Sequence, residues 1–91
     1  MGDEQKILVV DDEPEIVKGL VMRLRASGFD VASASDGFGA TQAAVREEPD
    51  LILLDIGMPA GDGHVVVRRL KENPRTMNIP IIFLTARTSA E

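Results

Sequence analysis

Acidic residues stand at the ends of two apolar runs of the chain, and a hydroxyl residue ends a third. Asp11 and Asp12 follow "KILVV", Asp55 ends "LILLD", and Thr85 ends "IPIIFLT". Continuous apolar runs of this length are typical of strands buried on both faces of a parallel sheet. Ligands bind beyond the carboxyl ends of such strands. If the first and third strands are neighbours, the three carboxylates converge on one crevice beside the hydroxyl.

This set of residues suits a magnesium-dependent reaction of a phosphate group. Converging carboxylates repel one another unless a cation neutralises them. Mg²⁺ binds through one or two carboxylates and keeps positions for water or a phosphate oxygen, and Mn²⁺ is the alternative ion. Asp55 could act as the nucleophile, as carboxylates do in enzymes that form an aspartyl phosphate. The metal would offset the charge of the transferred group.

Each motif also has a plain structural interpretation. The "DDEP" motif (residues 11–14) suits the start of a helix, where acidic side chains favour the helix dipole. Asp55 could cap a loop, and Thr85 could be an ordinary strand residue. The combination of all of them at the same ends of the predicted strands favours the functional interpretation.

Four short extended segments alternate with three helical patterns. The predicted strands cover residues 6–11, 30–35, 51–55 and 79–85. The predicted helices run from near Pro14 to Gly28, from near Asp36 to Pro49, and from near Asp62 to "NPRTMN" (residues 73–78), and a fourth helix could begin at Thr88 or Ser89. The alternation predicts the α/β class, with a doubly wound parallel sheet and right-handed crossovers.

The spacing of apolar residues predicts which face of each helix is buried. Asp12 is the candidate N-cap of the first helix. The predicted apolar faces are Ile16, Val17, Leu20, Val21 and Leu24 in the first helix, Phe38, Thr41, Ala44 and Val45 in the second, and Val65, Val66 and Leu70 in the third.

The composition narrows the function classes. The chain has 91 residues, enough for one domain over residues 1–91 and not for two. Its net charge of −5 argues against direct binding of nucleic acid or of an anionic membrane surface. The absence of cysteine excludes a disulfide framework and a thiolate zinc site. The N-terminal apolar run "ILVV" is too short for a signal peptide or a membrane span, so we expect a cytoplasmic protein.

Three motifs, "ILVVDDEP", "DLILLDIGMPAGDG" and "IPIIFLTA", resemble the receiver domain of bacterial two-component response regulators. The resemblance runs collinearly from residue 6 to residue 91. It implies a flavodoxin-like (CheY-like) fold with five parallel strands in the order 2-1-3-4-5. The order expected for the strands of this chain is therefore 2-1-3-4.

The resemblance also implies a role for each acid. Members of the family accept a phosphoryl group from a sensor histidine kinase or phosphotransfer protein on the residue that Asp55 matches. Asp12 would contact Mg²⁺ directly and Asp11 through a water molecule, while Gly57 would offer its backbone carbonyl to the metal. Such a domain is a phosphoacceptor that assists its own phosphotransfer and dephosphorylation, and is not an ordinary enzyme.

Other matched positions surround this site. Thr85 corresponds to the hydroxyl that reorients towards the phosphoryl group and conveys activation, and Ala86 to the small residue beside it. Pro59 and Gly63 match the loop that shapes one edge of the site.

The sequence departs from the family at its end. Receivers continue through a fifth strand that ends in a lysine, and no lysine follows Thr85 here. We therefore expect a receiver truncated before the fifth strand, with slower or absent phosphorylation. We also expect self-association, because the apolar fourth strand becomes an edge.

Three hypotheses about the function remain open at this point. The leading hypothesis is a signalling receiver phosphorylated on Asp55. The alternative is a truncated or engineered receiver fragment that acts only as an interaction or self-associating module. A small phosphatase with an aspartyl nucleophile is a weaker hypothesis, because Gly57 stands where such enzymes usually need a second acid.

Overall fold

A computed structural model describes residues 4–55, 57–58 and 62–84, with the side chain of Asp62 excepted. Its elements are β1 (Lys6–Val10), α1 (Pro14–Ala26), β2 (Asp30–Ala34), α2 (Gly37–Glu47), β3 (Leu51–Asp55), α3 (Asp62–Glu72) and β4 (Ile81–Leu84). The four strands form one parallel sheet in the order β2-β1-β3-β4. The predicted fold class and strand order are confirmed. The fourth helix predicted at Thr88 or Ser89 lies outside the described residues.

The register of the sheet fixes which residues meet at its carboxyl edge. Val10, the last residue of β1, pairs with Ala34 of β2 and with Leu54 of β3. The residue after Val10 therefore lies next to the residue after Leu54. At the other side of β3, Asp55 pairs with Leu84, the last residue of β4.

Helices cover both faces of the sheet, as the continuous apolar strands require. Alternate residues of β1 point to opposite faces, with Leu8 and Val10 on one side and Ile7 and Val9 on the other. The first face packs against α2 and α3 in a cluster of Leu8, Val10, Ala40, Ala43, Ala44, Ile52, Leu54, Met58, Val66 and Leu70. The second face packs against α1, in a cluster of Ile7, Val9 and Val31 with Val17, Leu20, Val21, Leu24, Phe29, Leu51 and Leu53 at its margin.

The buried face of α2 differs from the prediction. Ala40, Ala43 and Ala44 are buried, whereas the side chain of Phe38 is 69% exposed. Three small side chains let the helix approach the sheet closely, and this orientation turns Phe38 outwards. Of the predicted face, Ala44 is buried as expected, and only the inclusion of Phe38 was wrong. In α3, the predicted Val66 and Leu70 are buried as expected.

The N-terminal ends of α1 and α2 are capped differently. In α2, the side chain of Asp36 accepts a bond of 2.7 Å from the backbone N–H of Gly39, which makes it an N-cap. The predicted N-cap of α1, Asp12, was wrong by one residue: Glu13 occupies that position, without a side-chain hydrogen bond to the helix. Pro14 is the first helical residue, as its fixed φ favours.

Beyond α1, the chain reverses at Gly28, whose φ of 96° lies in the region that glycine adopts without strain. The predicted end of this helix is thereby confirmed to within two residues.

The amino edge of the sheet is held together by Lys6. Its ammonium lies 2.8 Å from a carboxylate oxygen of Glu47 at the end of α2 and 3.7 Å from one of Asp30 at the start of β2. Its backbone N–H donates to the carboxylate of Asp50, just before β3, at 2.8 Å. This one residue therefore links three neighbouring elements at the edge opposite the acids.

No helix in the described ranges is long and apolar enough to span a bilayer.

Candidate metal site

The carboxyl edge of the sheet brings three carboxylates together. Asp11, Asp12 and Asp55 each offer one oxygen, and these oxygens all lie within 4.8 Å of one another. The cause is the register between β1 and β3, which sets the residue after Val10 beside Asp55. The convergence expected from the sequence is thus present.

The three acids differ in their exposure to solvent. Asp11 is 1% exposed and Asp55 is 6% exposed, whereas Asp12 is exposed. The backbone N–H of Asp11 donates to the carbonyl of Ala34 at 3.2 Å and so extends the pairing of β1 with β2 by one residue. Asp11 is held inside by this pairing, and Asp12 lies at the mouth of the site.

The two oxygens of Asp11 have different partners. Oδ1 accepts a hydrogen bond of 3.0 Å from the backbone N–H of Glu13. Oδ2 is buried and has no hydrogen-bond partner among the described residues. A buried carboxylate oxygen without a partner costs stability, because it has lost its water. It is therefore the atom of the site that most needs a ligand.

Asp55 is oriented by the loop that follows it. The backbone N–H of Gly57 donates to Oδ1 of Asp55 at 2.8 Å. The family resemblance implied that the carbonyl of Gly57 binds the metal. The structure shows in addition that the amide of Gly57 orients Asp55. A glycine two residues after a strand-end acid is the signal that could have suggested such a turn.

Burial is the main cause of an elevated pKa at this edge. It raises the pKa of Asp11 above its ordinary value, and the neighbouring carboxylates of Asp55 and Asp12 raise it further. The hydrogen bond from Glu13 acts in the opposite direction. Within the described ranges, the ion pairs involve Lys6 and Arg46 and none reaches these three acids. No cation of the described residues therefore forms an ion pair with the three acids.

The donor set fits a hard divalent cation. It consists of carboxylate oxygens, one of them a buried Oδ2 that finds no partner in the described part of the chain, and two of the three acids lie in a poorly solvated position. Mg²⁺ prefers such oxygen ligands in small number. Asp11, Asp12 and Asp55 are the residues that could hold it.

A cavity of about 360 Å³ opens beside Asp11 and Asp12. Lys18 of α1 and the hydroxyl residues Ser33 and Ser35 of the β2 end also line it. Sequence reasoning missed these three residues. Their spacing in the sequence could have indicated these positions. Lys18 lies one helical turn after Pro14, and the two serines are two residues apart at the end of β2, so they share a face of the strand.

Three residues expected near the site, Pro59, Thr85 and Ala86, lie outside the described residues. Gly63 is buried in the first turn of α3.

Known proteins that are similar to this chain in sequence and in structure include response regulators and receiver domains. A family model described as the response regulator receiver domain matches residues 7–91. Among curated proteins, the DNA-binding dual master transcriptional regulator RpaA of Synechocystis is 42% identical over 89% of this chain and 34% of its own length. The response regulator PleD of Caulobacter vibrioides is 46% identical over 89% of this chain and 18% of its own. The chain thus spans about a third or less of these relatives.

Solved structures agree with the sequence matches. The N-terminal domain of a response regulator receiver protein from Methanoculleus marisnigri has a TM-score of 0.86 and 40% identity, over 94% of this chain and 70% of that one. The receiver domain of a sensor histidine kinase from Pseudomonas aeruginosa, with magnesium coordinated in its active site cleft, has a TM-score of 0.84 and 34% identity. It covers 92% of this chain and 69% of that one.

Proposed function

The chain belongs to the response regulator receiver family of two-component systems, and from this we propose that Asp55 accepts a phosphoryl group in a reaction that depends on Mg²⁺. The donor would be a sensor histidine kinase or a phosphotransfer protein, the partners of receiver domains. The observation that carries the proposal is the approach of Asp11, Asp12 and Asp55 to within 4.8 Å, with one buried oxygen that has no partner among the described residues.

In the proposed step, an oxygen of Asp55 attacks the phosphorus of a phosphohistidine on the donor. A bond forms between phosphorus and that oxygen, the bond from phosphorus to the imidazole nitrogen breaks, and the electron pair stays on the imidazole. The amide of Gly57 holds Oδ1 of Asp55 at 2.8 Å. This bond supports Oδ2 as the attacking atom, since Oδ1 is already engaged.

Asp11 and Asp12 would hold the metal together with Asp55 and the carbonyl of Gly57, and Mn²⁺ is the alternative ion. Bound there, the ion would offset negative charge on the acids and on the transferred group. Asp11 supports this role with its buried Oδ2. Asp12, which is exposed at the mouth, would reach the ion from the solvent side.

Thr85 is proposed as the switch hydroxyl. The support is indirect: Leu84, the residue before it in the chain, is the register partner of Asp55. Replacement of Thr85 by alanine should leave phosphorylation of Asp55 measurable and remove the conformational response to it.

The test is a phosphorylation assay with intact-mass detection. The chain is incubated with Mg²⁺ and a small phosphodonor, and a gain of one phosphoryl group is expected. Asp55→Asn should abolish the gain, while Asp30→Asn, an exposed acid at the opposite edge of the sheet, should retain it. An equal gain in Asp55→Asn would contradict the proposal.

Beryllofluoride with Mg²⁺ separates this function from a module that only binds partners. A working acceptor site should take up the phosphoryl mimic and shift the NMR signals of residues around Asp55. An unchanged spectrum would favour the interaction module. The match to the receiver family over residues 7–91 and the assembled acids favour the receiver.

Self-association through β4 is a second candidate property, and exposed side chains support it. Among the described strands, β4 pairs with β3 alone. Its residues Ile82 and Phe83 point to opposite faces of the sheet and are 51% and 48% exposed. An apolar edge strand of this kind is a template for pairing with another chain.

A further inference from the structure

Helix α3 and the turn after it are basic, although the protein is acidic overall. Residues 62–78 contain four basic residues, Arg68, Arg69, Lys71 and Arg75, against two acidic ones, within a chain whose net charge is −5. Arg46 adds a fifth cation from the last turn of α2. None of these residues belongs to the acid cluster, so the proposed phosphoacceptor site does not account for them.

A groove of about 600 Å³ runs between α2 and α3. Val45 and the buried Leu70 give it an apolar floor, and Arg46 and Arg69 line it from the two helices. The polar residues Thr41, Gln42, Asn73 and Thr76 complete the lining. The groove therefore combines an apolar base with one guanidinium from each wall.

The two guanidinium groups differ in their partners. Nε of Arg46 donates to Glu47 at 3.1 Å, but the same carboxylate is also held by Lys6 at 2.8 Å, and the Arg46 side chain remains 66% exposed. Among the described residues, Arg69 forms no ion pair within 4.0 Å. Glu72 lines the adjacent cavity together with Arg69, without an ion pair between the two. Both arginines can donate hydrogen bonds to a further carboxylate.

The groove continues towards an exposed aromatic residue. Arg69 also lines a smaller cavity of about 190 Å³ with Phe38 and Val65. Phe38 is 69% exposed in the first turn of α2. Aromatic residues, Phe among them, and arginine are both enriched in protein interfaces relative to the rest of the surface. Their combination here favours a protein partner over a small anion.

We propose that this α2–α3 surface, defined by Phe38, Arg46, Val65 and Arg69, docks an acidic amphipathic helix of a partner protein. Apolar side chains of that helix would contact Phe38 and the floor of the groove, and its Glu or Asp residues would pair with the two arginines. The groove and the smaller cavity together are lined by residues between 37 and 46 of α2 and between 65 and 76 of α3 and its following turn, so this surface matches a partner helix of about three turns.

The test uses a fluorescent probe peptide of about twelve residues, built from Glu and Leu at helical spacing. Its binding to the whole chain is measured by anisotropy and mapped by NMR shifts. We expect shifts on α2 and α3, and about a fivefold loss of affinity in Arg46→Gln/Arg69→Gln. Phe38→Ser should weaken binding too, and circular dichroism checks the fold of each variant.

Matched controls separate this surface from general charge attraction. Arg23→Gln removes an exposed arginine from α1 and should bind the peptide as the parent does. Asp55→Asn should also bind normally, because the surface is independent of the acceptor. The inference is overturned if the shifts map elsewhere, if Arg23→Gln weakens binding as much as the double variant, or if a peptide with Lys for Glu binds equally well. Tighter binding of a short single-stranded oligonucleotide would overturn it as well.

Discussion

Asp11 stands beside Asp55 at the carboxyl edge of the sheet, with both carboxylates almost fully buried. The residues before them, Val10 and Leu54, are direct register partners on neighbouring strands. The closeness of the two acids is therefore built into the sheet and does not depend on a loop. It sets two like charges where water can do little to screen them, and the first two predictions follow from this.

Asp11→Asn should stabilise the metal-free protein at neutral pH. Burial and the adjacent acids raise the pKa of Asp11 in the folded state. The stability linked to its proton is fully present below the unfolded pKa and is lost as the pH rises through the folded pKa. Asparagine does not ionise, so the variant does not lose this stability as the pH rises. Urea denaturation at pH 7 and at pH 4 should show a gain that shrinks as the pH falls. A lower stability of the variant at pH 7 would contradict the prediction, and Asp12→Asn, at an exposed position, provides the comparison.

Mg²⁺ should stabilise the parent protein against heat. A ligand that binds only the folded state at a concentration 100-fold above its Kd contributes about 2.7 kcal/mol. The effect should weaken as the pH falls, because protonated Asp11 cannot ligate the ion. Melting curves with MgCl₂, against NaCl of equal ionic strength, measure it. Asp11→Asn should lose most of the shift and Asp30→Asn should keep it; equal shifts in both would exclude Asp11 from the site.

Gly57→Pro should slow phosphorylation of Asp55 by up to about tenfold, the value of one ordinary hydrogen bond. Proline removes the backbone N–H that donates to Oδ1 of Asp55. Gly57→Ala retains that N–H and is the matched control. Initial rates from intact-mass time courses measure the effect, with circular dichroism to compare the folds. Equal slowing in both variants would show that the amide is not the cause.

Ile82→Lys should reduce self-association of the chain. A charged residue on an apolar edge strand opposes pairing with a second chain. Light scattering over a range of concentrations should show the mass of the parent rising and that of the variant staying at the monomer value. Met22→Lys, which changes another exposed apolar residue on α1, should behave as the parent. If the parent protein stays monomeric at every concentration, the proposed self-association is wrong.

The strands and their acids could be predicted from the sequence because their signals are strong. A run such as "LILLD" has one structural interpretation when helices flank it on both sides, and the parallel sheet then brings the strand ends together. The position of Asp11 beside Asp55 follows from strand order alone. No further detail of side-chain packing was needed to predict that these acids converge.

The face of α2 could not be predicted in the same way. A helix rich in alanine and glycine has little hydrophobic periodicity, so the large Phe38 dominated the pattern although it faces outwards. Close packing of three alanines against the sheet is a tertiary effect. The N-cap of α1 was also assigned to the wrong residue. Asp12 and Glu13 are adjacent acids, and Glu13 is the cap because Pro14 is the first helical residue.

The lining of the cavity at the acid site was also beyond sequence reasoning. Lys18, Ser33 and Ser35 belong to two elements whose relative orientation depends on how α1 packs over β1 and β2. Each residue taken alone is an ordinary exposed polar side chain, and only the fold brings them to one place.

The contacts of Lys6 show how this acidic chain holds the two edges of its sheet. At the amino edge, Asp30 and Glu47 converge on an ammonium that the chain itself supplies. At the carboxyl edge, on the function proposed above, three further acids converge on a cation taken from solution. The first edge has a cation of its own, whatever the surroundings contain. The second edge depends on those surroundings for its cation, so the sheet has one end that is held by the charges of the chain itself and one end that responds to its environment.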